Sequence, residues 1–87
     1  MSTSQQILAR LQTLEPQSLN LQDESSLHAG HAGAASGGGH YRLTIVSPRF
    51  AGLNSVARHR LVYETLGELM QGPVHALAIT ALTPEEL

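Results

Sequence analysis

The 87-residue sequence has no cysteine, no tryptophan and no lysine, and its aromatic rings are two tyrosines and one phenylalanine. Without cysteine there can be no disulfide, no thiolate nucleophile and no cysteine-based zinc site. Any metal must be held by histidine, carboxylate or a partner's ligands. Without lysine, all cationic charge rests on five arginines, set against seven acidic residues for a net charge of −2. That balance gives no general electrostatic drive toward nucleic acid. No apolar run approaches the ~18 residues of a membrane span, and no basic-plus-apolar leader opens the chain. A cytoplasmic protein with no membrane partner is expected. A chain this short buries only ~60–65% of its unfolded surface. It has room for one domain over residues 1–87 and one modest core, and none for a deep enzyme pocket.

What the sequence has in excess is histidine, with five in 87 residues. Histidine is the side chain most used for metal ligation and for proton transfer near neutral pH, so their placement is the main functional question. Residues 4–14 read as an amphipathic helix with Ile7, Leu11 and Leu14 on one stripe, ended by Glu15-Pro16. Residues 18–23 alternate like a half-buried strand. Residues 24–39 form a Gly/His-rich loop in which His-Ala-Gly occurs twice, at 28–30 and 31–33. A second strand spans 40–47, with Tyr41, Leu43 and Ile45 on one face and His40, Arg42 and Thr44 on the other.

A longer helix is expected over 55–70. Val56, His59, Tyr63, Leu66 and Met70 supply its apolar stripe, and Gly72-Pro73 ends it. A third strand spans 74–82. Strict alternation puts His75 on the same face as Leu77 and Ile79, near the rim. Thr83-Pro84-Glu85-Glu86 is a capping box, but the sequence ends at Leu87, so the final helix is expected to be cut short. The order helix-strand-strand-helix-strand predicts an α+β fold, a three-stranded mixed sheet with both helices on one face. The second and third strands are parallel through a right-handed crossover.

Several segments together resemble one known family. They are Asp23-Glu24-Ser25, His28, His40-Tyr41, Val46-Ser47, Phe50-x-Gly52, Arg58-His59-Arg60-x-Val62-Tyr63, Val74-His75-Ala76-Leu77 and Thr83-Pro84. In this order they are similar to the BolA-like proteins, from about residue 7 to residue 84. The resemblance implies a class II KH-like fold. It also implies partnership with a monothiol glutaredoxin and glutathione, with a [2Fe–2S] cluster bridging the two proteins in iron trafficking. Some bacterial relatives are described as DNA-binding transcriptional regulators. The sequence departs from the family in its short C-terminus, in the second loop histidine, His31, and in Tyr41 where many relatives have phenylalanine.

The resemblance implies that His75 is a metal ligand, and that a loop histidine is the second, His28 ahead of His31. Read without it, His75 is a polar residue tolerated at a strand end, and the loop histidines belong to a polar, Gly-rich connection. His59, in an apolar stripe, is expected to be a hydrogen-bonded core group. His40 is expected to be exposed, with a minor claim to ligation. Arg58 and Arg60 are expected on an exposed charged face, available to an acidic partner or to glutathione carboxylates.

The chemistry is coherent. Two imidazoles can serve one iron of a [2Fe–2S] cluster, as in Rieske centres. The chain has no thiolate, so it would hold no cluster in isolation. The glutaredoxin cysteine and a glutathione thiol would hold the other iron.

Catalysis is not expected. Gly37-Gly38-Gly39 lacks the strand-loop-helix context of a phosphate loop, and a hydrolytic zinc site of Asp23, His28 and His31 would be poorly preorganised on a Gly-rich loop. The competing function is a DNA-binding regulator. Gly30-His31-Ala32-Gly33 matches the letters of the KH backbone clamp, but it lies between strands rather than helices. With no lysine and a net charge of −2, any DNA affinity should be weak and salt-sensitive. Titration of a labelled duplex at low and at physiological salt should show binding only in the former. Tight binding that survives salt would reverse the order of the two functions.

Overall fold

The computed structural model describes residues 2–24 and 39–87. Helix α1 spans Thr3–Leu11 and runs into a short 3-10 turn, Gln12–Leu14. Strands β1 (Ser18–Asp23) and β2 (Gly39–Val46) follow, then helix α2 (Ser55–Leu66) and strand β3 (Val74–Leu82). The strands form one sheet in the order β1-β2-β3, antiparallel between β1 and β2 and parallel between β2 and β3. This is the expected α+β arrangement. The described helices are too short and too polar to cross a membrane.

Each element starts where local chemistry tells it to. Ser2 caps α1 through a complete capping box with Gln5, which satisfies two otherwise orphaned backbone groups. Asn54 caps α2 by accepting from the Ala57 N–H at 2.9 Å. The first helix ends at the predicted place. Glu15, however, adopts a left-handed conformation with φ 51° rather than an extended one, and Arg49 grips its carboxylate at 2.5 and 3.0 Å. Gly67 ends α2 at φ 57°, a region that favours glycine. A β-carbon there would lie 3.1 Å from the Arg10 guanidinium, which donates to the Leu66 carbonyl at 2.9 Å.

The core lies between the helices and one face of the sheet. Tyr41, Leu43 and Ile45 of β2 meet Ile7 and Leu11 of α1 and Val62 and Leu66 of α2. Leu77, Ile79 and Ala81 pack against its margin, paired with Tyr41, Leu43 and Ile45 across the parallel ladder. At the far end of β2, buried Ser47 donates to the Leu14 carbonyl at 2.5 Å and accepts from the Arg49 N–H at 3.1 Å, tying the end of the first helical segment to the sheet.

The stripe expected on the second helix is rotated. Val56 is 65% exposed and Tyr63 42% exposed, while Val62, Leu66 and Leu69 are buried. The inward stripe begins at Arg58, whose side chain is only 14% exposed. Its guanidinium donates to the carbonyls of Leu53 and Ala81 at 2.8 and 3.0 Å and pairs with Glu86 at 2.6 Å. A half-buried arginine is tolerated because two carbonyls and a carboxylate accept from its guanidinium. Its four-residue spacing to Val62, and Val62's to Leu66, is as helical as the all-apolar alternative. Arg58 is therefore not on an exposed charged face.

The C-terminal capping box closes on a single 3-10 turn, Pro84–Glu86. The Glu86 carboxyl is pushed down from 4.5 to about 2, first by the hydrogen bond from Arg58 and then by the Thr83 backbone N–H. A carboxyl lowered on folding stabilises the fold above its unfolded pKa, and that stabilisation disappears as pH falls through the folded value. Glu86→Gln should therefore lower the melting temperature at neutral pH. The gap from the parent protein should close between pH 4.5 and about 2. An equal gap at all pH values would show that the pair does not titrate as described.

Candidate metal-binding site

The expected site residues fall into two groups. His28 and His31 lie outside the described residues, as do the Gly30–Gly33 letters, so the loop ligands are not placed. His75 is placed, with its ring exposed at the start of β3.

The face of His75 differs from the strict-alternation expectation, because the register between β2 and β3 shifts at its position. Gly39 pairs with Val74 but His40 pairs with Ala76. One step on β2 therefore spans two on β3, and His75 is the extra residue. Such a bulge resets side-chain parity. Val74, 1% exposed, turns into the core. Leu77, three residues later, also packs on the core side. His75 is released from that face.

It meets His40. Tyr41 is buried at 6% exposure, so its neighbour His40 projects from the opposite, helix-free side of the sheet. The rings of His40 and His75 lie 5.2 Å apart between centroids, tilted by 39°. The partner that the structure places beside His75 is thus the histidine given the smaller claim in the sequence. Its position opposite the bulge depends on pairing between residues more than thirty apart in the chain, which no local pattern displays.

Both rings stand on anchored backbone. The His40 carbonyl accepts from the Glu24 N–H at 2.7 Å, and the Gly39 N–H donates to the Pro73 carbonyl at 2.8 Å. Gly39 allows the bulge to close: a β-carbon there would overlap the Tyr41 ring. Arg42, two residues along from His40 on the same face, is paired with Glu24 at 3.2 Å. Ala76 and Ala78, with small side chains, are exposed neighbours opposite His40 and Arg42. Among the described residues no three of His, Asp and Glu cluster as a complete metal site, and the arrangement brings two imidazoles together.

The remaining charges are largely consumed internally. Arg10 pairs with Glu68 at 2.5 Å, and Arg42, Arg49 and Arg58 with Glu24, Glu15 and Glu86. The Arg10 bond is the main reason the Glu68 carboxyl is lowered to about 2. Among the described residues, Arg60 alone of the arginines has no carboxylate partner. It borders a shallow depression of about 290 Å3 with Val56, His59 and Tyr63.

Comparison with known proteins identifies the lineage. The family described as BolA, BolA-like protein, matches residues 11–86. The chain belongs to the BolA-like family. It is 49% identical over 75 residues to BolA-like protein 1 of Mus musculus, covering 86% of this chain and 53% of that protein. It is 44% identical over 72 residues to the DNA-binding transcriptional regulator BolA of Vibrio cholerae, covering 83% of this chain and 65% of that protein. The chain thus spans about half the length of the mammalian BolA-like proteins it matches. Among solved structures, the BolA domain of SufE1 from Arabidopsis thaliana superposes with a TM-score of 0.86 at 39% identity, covering 100% of this chain and 98% of that one. The mouse BolA1 solution structure gives 0.78 at 46% identity, covering 97% and 67%. The fold is that of the BolA-like proteins.

One histidine expected in the core is not there. His59 is only partly buried, on the outward side of α2 beside exposed Val56 and Tyr63. It has no hydrogen bond among the described residues. The apolar positions beside it belong to the outer surface, which is why their spacing misled. His59→Ala should therefore change unfolding free energy by no more than ~0.5 kcal/mol, as for an ordinary surface site. Urea denaturation showing a loss of ~2 kcal/mol or more would return His59 to a structural role.

Proposed function

We propose that this BolA-like chain is the histidine-donating half of an iron–sulfur carrier. It docks a monothiol glutaredoxin and shares with it a [2Fe–2S] cluster as cargo. His75 ligates from this side, together with a loop histidine, His28 ahead of His31. The glutaredoxin cysteine and glutathione supply the thiols. The protein acts by binding and transfer rather than by catalysis, in the cytoplasm.

The observation that carries the reading is His75 itself: an exposed imidazole held at the end of a paired strand, with small, exposed Ala76 and Ala78 further along it. The backbone fixes the root of the ligand while solvent and a partner reach its ring, which is what capture of a shared metal centre requires. The donor set agrees. The chain can offer imidazoles but no thiolate, so a mixed His/Cys cluster must straddle two proteins, and it comes apart when they separate. Ligation requires neutral imidazole, so protons compete with the metal.

A DNA-binding regulator is the second reading, favoured by the name of the Vibrio cholerae relative. The charge pairing weighs against it. Four of the five arginines are engaged with glutamates, which leaves Arg60 and little else to meet phosphate.

His75→Ala decides the first reading. Mixed with a monothiol glutaredoxin, glutathione, iron and sulfide, the parent chain should elute as a red-brown heterodimer. The variant should retain its melting temperature within a few degrees and lose most of the heterodimer's visible absorbance. Full cluster retention by the variant would remove His75 from the ligand set.

A further inference from the structure

We propose that His40 and His75 together form a two-imidazole site for a single borderline divalent cation such as Zn2+. The isolated chain fills this site without any partner. The pair does not depend on the glutaredoxin reading, because His40 and His75 are both among the described residues.

Distance is the first support. With metal–nitrogen bonds of ~2.0–2.1 Å, two nitrogens on one zinc ion lie within ~4 Å of each other. Rings 5.2 Å apart between centroids and tilted by 39° reach that separation by side-chain rotation alone. Their backbones are already fixed, because the bulge sets His75 opposite the His40–Ala76 pair. The ordering cost that weakens a site on a mobile segment is thus largely met before the ion arrives.

Donor chemistry is the second. Imidazole suits borderline first-row cations. Each ring has two nitrogens, so one can bind the ion while the other keeps a hydrogen bond that orients the ring, the usual arrangement at histidine-metal sites.

Electrostatics and access are the third. The nearest cation on the same strand face, Arg42, is offset by Glu24 at 3.2 Å, and a chain of net charge −2 does not repel a cation overall. Among the described residues, the β3 neighbours of this face are the small side chains of Ala76 beside His40 and Ala78 beyond it, which do not crowd waters that would complete the coordination. Two protein ligands give a modest affinity and an open coordination sphere. A third ligand, from a second protein, can enter without dismantling the site.

The test is calorimetric titration of Zn2+ into the parent chain, His40→Gln, His75→Gln and the double variant His28→Gln/His31→Gln. The parent should bind one zinc ion. Each single variant should bind at least about tenfold more weakly, a loss on the scale seen when metal-site residues are removed. The loop double variant should match the parent. Loss of binding in the loop variant with full binding in His40→Gln would overturn the proposal, as would the absence of saturable binding in the parent.

Should His40→Gln fail to fold by circular dichroism, the ring resonances of the parent decide. Substoichiometric Ni2+ should broaden His40 and His75 together before any other histidine, and selective broadening of another pair overturns the assignment. Cluster assembly with glutaredoxin, run in parallel, separates the two ideas. Zinc binding that depends on His40 supports the pair even where no heterodimer forms. A heterodimer formed by a chain whose zinc binding ignores His40 refutes the pair and leaves the shared-cluster reading intact.

Discussion

Everything in this molecule is hung on β2, the central strand, whose side chains must alternate strictly because both of its edges are hydrogen-bonded. Tyr41, Leu43 and Ile45 point to the helices, and each is essentially buried. That single parity decides where α1 and α2 sit and which residues of β3 meet the core. It also decides that His40, Arg42 and Thr44 line the open side. A one-residue slip would exchange the two sets, so the core and the outer face are specified by the same constraint.

The candidate metal site is the place where that parity is broken on one strand and kept on the other. β2 continues without interruption through His40, while β3 inserts His75 as an extra residue. The bulge lets Val74 and Leu77 both serve the core despite an odd separation, and it turns His75 out beside His40. A small packing adjustment at the end of a sheet thus brings two imidazoles together. Bulges recur next to functional sites because they re-aim a side chain without disturbing the ladder on either side. The same economy appears in Arg58, which spends its guanidinium on two carbonyls and on Glu86. It anchors the last turn to the helix and leaves no free cation there.

Charge is used structurally in this fold. Four arginine–glutamate pairs join segments distant in sequence. Surface pairs of this kind contribute little individually, but together they consume most of the positive charge. Among the described residues, that leaves Arg60 as the arginine without a carboxylate partner.

Element order, strand boundaries and the mixed sheet were legible in local patterns. Turn signals such as Glu15-Pro16 and Gly72-Pro73, and the period of two in 18–23 and 40–46, are consequences of backbone sterics that act over a few residues. So was the capping box at Thr83, since it needs only four residues to form. Three things were not legible: the true inward stripe of α2, the outer position of His59, and the face of His75. Arg58 and Val56 both fit a helical stripe by spacing. The choice between them was made by carbonyls of Leu53 and Ala81 and by the Glu86 carboxylate, which lie in other segments. Likewise, the face of His75 depends on inter-strand register, and register is a property of two strands in contact. A sequence carries the periodicity of each element. Which neighbour satisfies a buried donor, and how two periodicities are phased against one another, is settled only when the chain closes on itself.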